Sequence, residues 1–181
     1  MAWSVPMTAV ANTAFTAAQF NTFIRDNLLE TAPAKATTPG SYFVTTDTNN
    51  IEERVAQSQI ISMAESTTST SYTDLVTFGP SLTLTTGTQA LVIFGGQVGN
   101  TTSTSASARI ALEISGSTSI APTDNQAFGH VQSPGTSARA IGTNGYLYTT
   151  LTPGTNTFTL KYRVSSGQGL FHFRKLSVLP L

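Results

Sequence analysis

The sequence predicts a mainly β protein: an N-terminal α-helix and a short linker with a hairpin, followed by an antiparallel, jelly-roll-like β-sandwich. Three observations lead there. Thr and Ser supply roughly 50 of the 181 residues, far above ordinary usage, and hydroxyl side chains, Thr above all, suit solvated strand faces. Apolar and polar residues alternate with period two in two long stretches, as half-buried strands require. Helical periodicity occurs once, near the N-terminus, behind a complete capping signal. The expected organisation is an arm and anchoring helix over 1–33, a linker with a short β-hairpin over 34–57, and the β-sandwich over 58–181.

The arm, up to Ala14, is extended or irregular, with Pro6 and a run of small residues; Trp3 and Val5 are free to pack on a partner or fold back. Thr16 and Gln19 form a T-x-x-Q capping box, and Phe15 and Phe20 flank it as a hydrophobic staple. The predicted helix runs from Ala17 to about Thr31, with Phe20, Phe23, Ile24 and Leu28, and Phe15 beside them, as its apolar stripe. Pro33 biases Ala32 away from the helical region and stops it. A helix of about four turns is not stable alone, so the stripe must bury against something. Thr38-Pro39-Gly40 then predicts a turn, Ser41 to Thr46 a strand, Asp47 to Asn50 a second turn, and Ile51 to Gln57 a returning strand.

The predicted sandwich strands are 58–65, 71–78, 81–85, 89–98, 105–115, 126–132, 138–142, 145–151, 156–165 and 169–179. Ala106, Ala108, Ile110, Leu112 and Ile114 share one face, and so do Phe158, Leu160, Tyr162 and Val164. Asn144-Gly145 is the strongest short hairpin signal, and Pro153-Gly154 suits a type II turn. Ala90 to Phe94 is apolar on both faces, which fits either a covered central strand or a subunit interface. Gly95-Gly96 reads as a bulge or a close backbone approach, since no helix follows to make a phosphate cradle.

Composition narrows the function. Charged residues make up 10% and the net charge is zero, against about a quarter charged in ordinary domains, so no basic patch points to nucleic acid. Zero cysteines exclude disulfides and thiolate metal sites. The start, Met1-Ala-Trp-Ser-Val-Pro6, lacks a secretory pattern, and no apolar run reaches the ~20 residues of a membrane span. The expectation is synthesis in a cytoplasm, no membrane insertion, and export by assembly into a particle.

Catalytic equipment is sparse. His130 and His172 have no carboxylate at metal-ligand spacing, and His172 lies in a strand on the face opposite Phe171 and Phe173. Glu52 and Glu53 are adjacent and point to opposite faces of a strand, so they cannot work as a glycosidase pair. No G-x-S-x-G elbow occurs. We expect no enzyme activity, no catalytic residue, no metal and no cofactor. Arg109, Arg139, Lys161, Arg163, Arg174 and Lys175 read as solvent-facing sheet residues, or as contacts to another subunit or a polyanionic glycan. Tyr146 and Tyr148, two apart on one strand face, are the candidate glycan-stacking platform, with core or interface packing as the alternative.

Phe15 to Leu29 resembles an N-terminal signature of tail-associated and virion-surface proteins of bacteriophages, a helix reading T-A-x-x-[FLM]-N-x-x-[IVL]-R-D-N-[LI]. It matches at Thr16, Ala17, Phe20, Asn21, Ile24, Arg25, Asp26, Asn27 and Leu28. Residues 38–54 resemble the short hairpins of phage fibre shafts, and 153–163 with 176–179 resemble the closing strands of jelly-roll tips. The resemblance implies a virion structural protein: a minor tail protein, a head fibre or a capsid decoration. Phe15, Phe20, Phe23, Ile24 and Leu28 would serve oligomerisation and anchoring. Its expected partners are its own copies, as a homotrimer, and capsid or tail proteins, with host-surface glycan as a further ligand. Its expected place is the virion surface, where it aids host attachment. A carbohydrate-binding module recognising host cell-wall glycans is the alternative.

Overall fold

The structure, a computed structural model, describes residues 3–101, 105–131 and 139–181. The chain divides into two units, Met1–Val55 and Ala56–Leu181.

In the first unit, Thr16 takes an extended backbone and both halves of the capping box form with Gln19. Helix α1 spans residues 17–29 and contains a π-turn at Asn21–Arg25, where the Asp26 N–H reaches back to the Asn21 carbonyl. It ends two residues before the predicted Thr31, and Pro33 is not what stops it. Thr31 is extended and starts a second short helix, α2 (Ala32–Lys35), in whose first turn the proline's missing N–H costs nothing. The Thr38-Pro39-Gly40 turn closes with Ser41 N–H donating to Thr38 O at 3.2 Å. Strands β1 (Tyr42–Asp47) and β2 (Asn50–Arg54) then form the predicted hairpin.

The second unit is a jelly roll. Its strands are β3 (Gln57–Ile61), β4 (Glu65–Thr67), β5 (Ser81–Thr86), β6 (Ala90–Asn100), β7 (Ser107–Gly116), β8 (Phe128–Val131), β9 (Arg139–Tyr148), β10 (Gly154–Val164) and β11 (Gly169–Pro180). One sheet has the order β5-β10-β7-β8; the other runs β3-β11-β6-β9, with β4 also on β11. All the ladders are antiparallel. Both alternating stretches behave as predicted: Ala108, Ile110, Leu112 and Ile114 of β7 and Phe158, Leu160, Tyr162 and Val164 of β10 are buried, facing Val92, Phe94, Phe171, Leu176 and Val178 of the other sheet.

Three expectations need correction. The predicted strand 71–78 is a loop carrying one bridge, Thr73 to Tyr162. The predicted strand 58–65 is split, because the β11 register shifts between His172 and Lys175 and Phe173 sits at φ +49; β3 pairs below that irregularity and β4 above it. Asn144-Gly145 makes no hairpin: β9 runs straight through it, paired to β6 from Arg139 to Tyr148. There the Asn144 amide donates to Gln126 O at 2.9 Å, so its side chain serves packing and not a turn. The predicted strand ends at Gln132 and Ala138 lie outside the described residues.

The glycine pair in β6 is a close approach. A Cβ on Gly95 would stand 2.1 Å from the Gly142 carbonyl oxygen of β9. Ala90, Val92 and Phe94 are in the core, while Leu91 and Ile93 look outward beside Leu147 and Leu179. Ile93 and Leu147 are exposed, so among the described residues no loop covers this central strand, and its outer face is a small apolar patch.

Candidate attachment surface

Helix α1 is amphipathic in the reverse of the usual sense. Gln19, Phe23, Asn27 and Glu30 are the half-buried or buried positions along one side, whereas Phe20, Ile24 and Leu28, at i, i+4 and i+8, are exposed. Their exposures are 47%, 39% and 60%, and Leu29 adds 57%. A helix of a self-contained domain turns its apolar stripe toward its own core. Here the stripe is presented outward.

Asn27 fixes that orientation. Its side chain is buried and forms a two-way amide contact with the arm: Ser4 N–H donates to Oδ1 at 2.8 Å and Nδ2 donates to Ser4 O at 3.0 Å. Nδ2 also donates to Phe23 O at 3.1 Å. Trp3 N–H donates to Asn49 O at 3.2 Å, tying the arm to the hairpin turn. At the far end of the unit, Lys35 Nζ bonds Glu30 at 2.6 Å and donates to Ile51 O at 2.8 Å. Polar groups thus clamp the side of the helix that faces its own unit.

Phe15 and Phe20 meet edge to face at 6.1 Å between ring centres, which completes the predicted staple. Beside them lies a hollow of about 230 Å³ lined by Met7, Val10, Ala14 and Phe15 among others. Glu53 holds the next turn. Its carboxylate accepts from the N–H groups of Thr37 (3.0 Å) and Thr38 (2.8 Å) and from the Ser41 hydroxyl (2.6 Å). The Ser41 and Thr37 hydroxyls and these N–H groups hold its pKa down to about 2.

Of the five predicted anchoring residues, Phe15, Phe20, Ile24 and Leu28 lie on the exposed surface and Phe23 is half-buried. Sequence reasoning missed Leu29, and it missed Asn27 as the residue that orients the helix. The only trace of the latter was its place in the R-D-N run.

The tyrosine pair is placed differently. Tyr146 and Tyr148 have ring centres 4.8 Å apart on the core-facing side of β9. Tyr148 is 4% exposed, and its hydroxyl donates to Gln126 Oε1 at 2.9 Å. Burial pushes its pKa up to about 12, and neighbouring Tyr146 adds to the rise. Tyr146 keeps 40% exposure. Tyr148 therefore positions the 3-10 turn Asp124–Gln126, and only Tyr146 offers a ring to solvent.

The basic residues separate into distinct settings. Arg109, Lys161 and Arg163 lie on the outer face of the β5-β10-β7-β8 sheet, each paired with carboxylates. Burial acts to lower the Lys161 pKa, but the hydrogen bonds it donates to the Asp74 and Glu113 carboxylates outweigh this and the net shift is upward. Arg174 is not solvent-facing, contrary to expectation: it is fully buried, 3.1 Å from Glu65 and over the Tyr162 ring. His172 is likewise not opposite both its neighbours, because the β11 irregularity turns Phe173 outward to stack on it at 3.7 Å.

No family profile matches the sequence, and no curated protein matches it. Among solved structures, the chain is similar to the VP2 subviral particle of infectious bursal disease virus, with 13% identity and a TM-score of 0.49 over 76% of this chain and 37% of that one. It is similar also to the structure of the Gx strain of infectious bursal disease virus, with 12% identity and a TM-score of 0.50 over 76% of this chain and 36% of that one. The chain therefore spans little more than a third of the chains it matches, and at such identity the likeness is one of fold alone.

Proposed function

We propose that this chain is a non-enzymatic structural protein of a bacteriophage virion, a minor tail protein, head fibre or capsid decoration. In this reading its N-terminal unit anchors it and its jelly roll is displayed on the particle surface. The observation that carries the reading is the outward stripe of Phe20, Ile24 and Leu28 on a helix clamped from behind by Asn27. Exposed apolar surface of this kind marks association. Jelly rolls recur in viral capsid domains, and the solved virus structure of similar fold agrees with that setting.

The driving force is burial of the stripe against sister helices or a docking site, at roughly 25 cal/mol per Å². A homotrimer would place three stripes together, so that three modest attachments act at high effective concentration. The protein would be made in the host cytoplasm and reach the virion surface by assembly.

The double variant F20D/I24D tests this. Phages assembled with it should lack the protein, while the purified variant keeps the wild-type melting of its jelly roll. Normal incorporation of the folded double variant overturns the anchoring role.

A further inference from the structure

The outer face of the β5-β10-β7-β8 sheet carries a polar cluster that the anchoring reading does not use. Arg163 and Arg109 are direct cross-strand partners on β10 and β7, an arrangement of like charges that is unfavourable unless an anion lies between them. Asp124 supplies it. Its Oδ2 bonds both guanidinium groups, at 2.7 Å from Arg163, and its Oδ1 accepts from the Tyr72 hydroxyl at 2.8 Å. The Arg163 guanidinium also lies over the Tyr72 ring, 5.4 Å from its centre. Two arginines share one carboxylate, so among the described residues one positive charge is left over at this end of the sheet. The balancing excess of acid lies two residues further along β10, where Asp74 and Glu113 share Lys161.

A pocket of about 240 Å³ opens beside Arg109, lined by Ser107, Arg109, Asp124 and Gly129 among others. Gly129 stands opposite Arg109 on β8, and a Cβ there would lie 2.9 Å from Arg109 Cγ. The glycine lets the arginine stem lie flat across β8 with its head in the pocket. The volume is below the ~300 Å³ of sites for drug-sized ligands, and suits one terminal sugar more than a chain. A simple anion would find Arg109 but would also meet the Asp124 carboxylate. A ligand carrying an oxyanion and vicinal hydroxyls satisfies both, with the oxyanion on Arg109 and hydroxyls donating to Asp124.

The geometry points to a binding site for an acidic saccharide, a sugar bearing a carboxylate or phosphate ester, in the Arg109–Asp124–Gly129 pocket. It lies on a different sheet from Tyr146 and Tyr148, and it does not depend on how the N-terminal unit is anchored.

The test is NMR titration of the full-length protein with glucuronic acid, inorganic phosphate and glucose at millimolar concentration. Glucuronate should shift the amides of 107–110 and 128–131 saturably and bind more tightly than either of the other two. Binding should weaken about tenfold in R109Q and again in about 0.5 M salt. G129A gives a second variant that displaces the Arg109 stem without removing its charge, and it should weaken binding as well. Inorganic phosphate binding as tightly as glucuronate overturns the saccharide assignment. Absence of saturable shifts, or unchanged binding in R109Q and G129A that melt like wild type, overturns the site. Loss of particle incorporation in F20D/I24D bears only on the anchoring reading, so the two fail separately.

Discussion

Replacing Asn27 with Ala removes three hydrogen bonds: two to Ser4, at 2.8 and 3.0 Å, and one to Phe23 O at 3.1 Å. Each contributes about 1 kcal/mol net, and the two Ser4 groups lose a partner that water must replace. The arm's attachment should weaken by ~2–3 kcal/mol, which corresponds to roughly 30- to 160-fold faster exchange of the Ser4 amide if exchange follows local opening. Trp3 N–H keeps its bond to Asn49 O and should lose less protection. Amides in β7 and β10 report on the jelly roll and should not change. N27D is the sharper variant, since it keeps the acceptor for Ser4 N–H but faces an oxygen toward the Ser4 and Phe23 carbonyls; it should be at least as disruptive at neutral pH. Hydrogen exchange followed by NMR measures both. A Ser4 amide that exchanges at the wild-type rate in N27A would mean the arm is held by something else, and the account of how the helix is turned outward would be wrong.

Other outcomes follow from the same structure. G95A should lower the unfolding free energy by at least ~3 kcal/mol in denaturant melts, because its Cβ would stand 2.1 Å from Gly142 O in a paired strand; a loss below ~1 kcal/mol would show that β6 and β9 can separate cheaply. Glu53, held down to about 2, should keep the 37–41 turn closed well below the usual carboxylate range near ~4.3. Its stabilisation is complete above that range and lost as pH falls through 2, so the Thr37 and Thr38 amide shifts should titrate with a midpoint near the lower figure, and a midpoint near ~4.3 would refute the cap. R174A leaves the largely buried Glu65 carboxylate without its cation and should cost ~3–5 kcal/mol, whereas R174M/E65Q should recover a substantial part of that. Equal losses in both variants would show that the charge itself is not what matters there.

The sequence carried some elements clearly because the deciding interactions are local. A capping box and its staple involve residues three to five apart, so Phe15, Thr16, Gln19 and Phe20 are readable from the residues alone. The strands β7 and β10 were readable because each has one face in the core, and period two is written directly into their residues. What failed was non-local. Asn144-Gly145 has every local mark of a turn, but ten pairings with β6 and a side-chain bond to Gln126 keep it extended. The 71–78 segment, predicted as a strand, makes one bridge, Thr73 to Tyr162. Arg174 reads as a surface residue until Glu65 and Tyr162 arrive from other strands. The candidate surface shows the same division: periodicity gave the stripe, while the choice of which side of the helix faces its own unit rests on Asn27 meeting a residue 23 positions away. Tyr148 looked like a platform for a ligand because its inward orientation depends on which sheet β9 joins.

The first and last strands of the jelly roll are neighbours, and they run in opposite directions with Gln57 opposite Val178. The polypeptide thus arrives and departs at one corner of the sandwich, about one strand spacing apart. A graft that moved residues 1–55 behind Leu181 would leave the sandwich tethered at that same corner. The loop joining β10 to β11 would stay at the opposite end, so the direction of the backbone matters less here than the corner at which the two segments join.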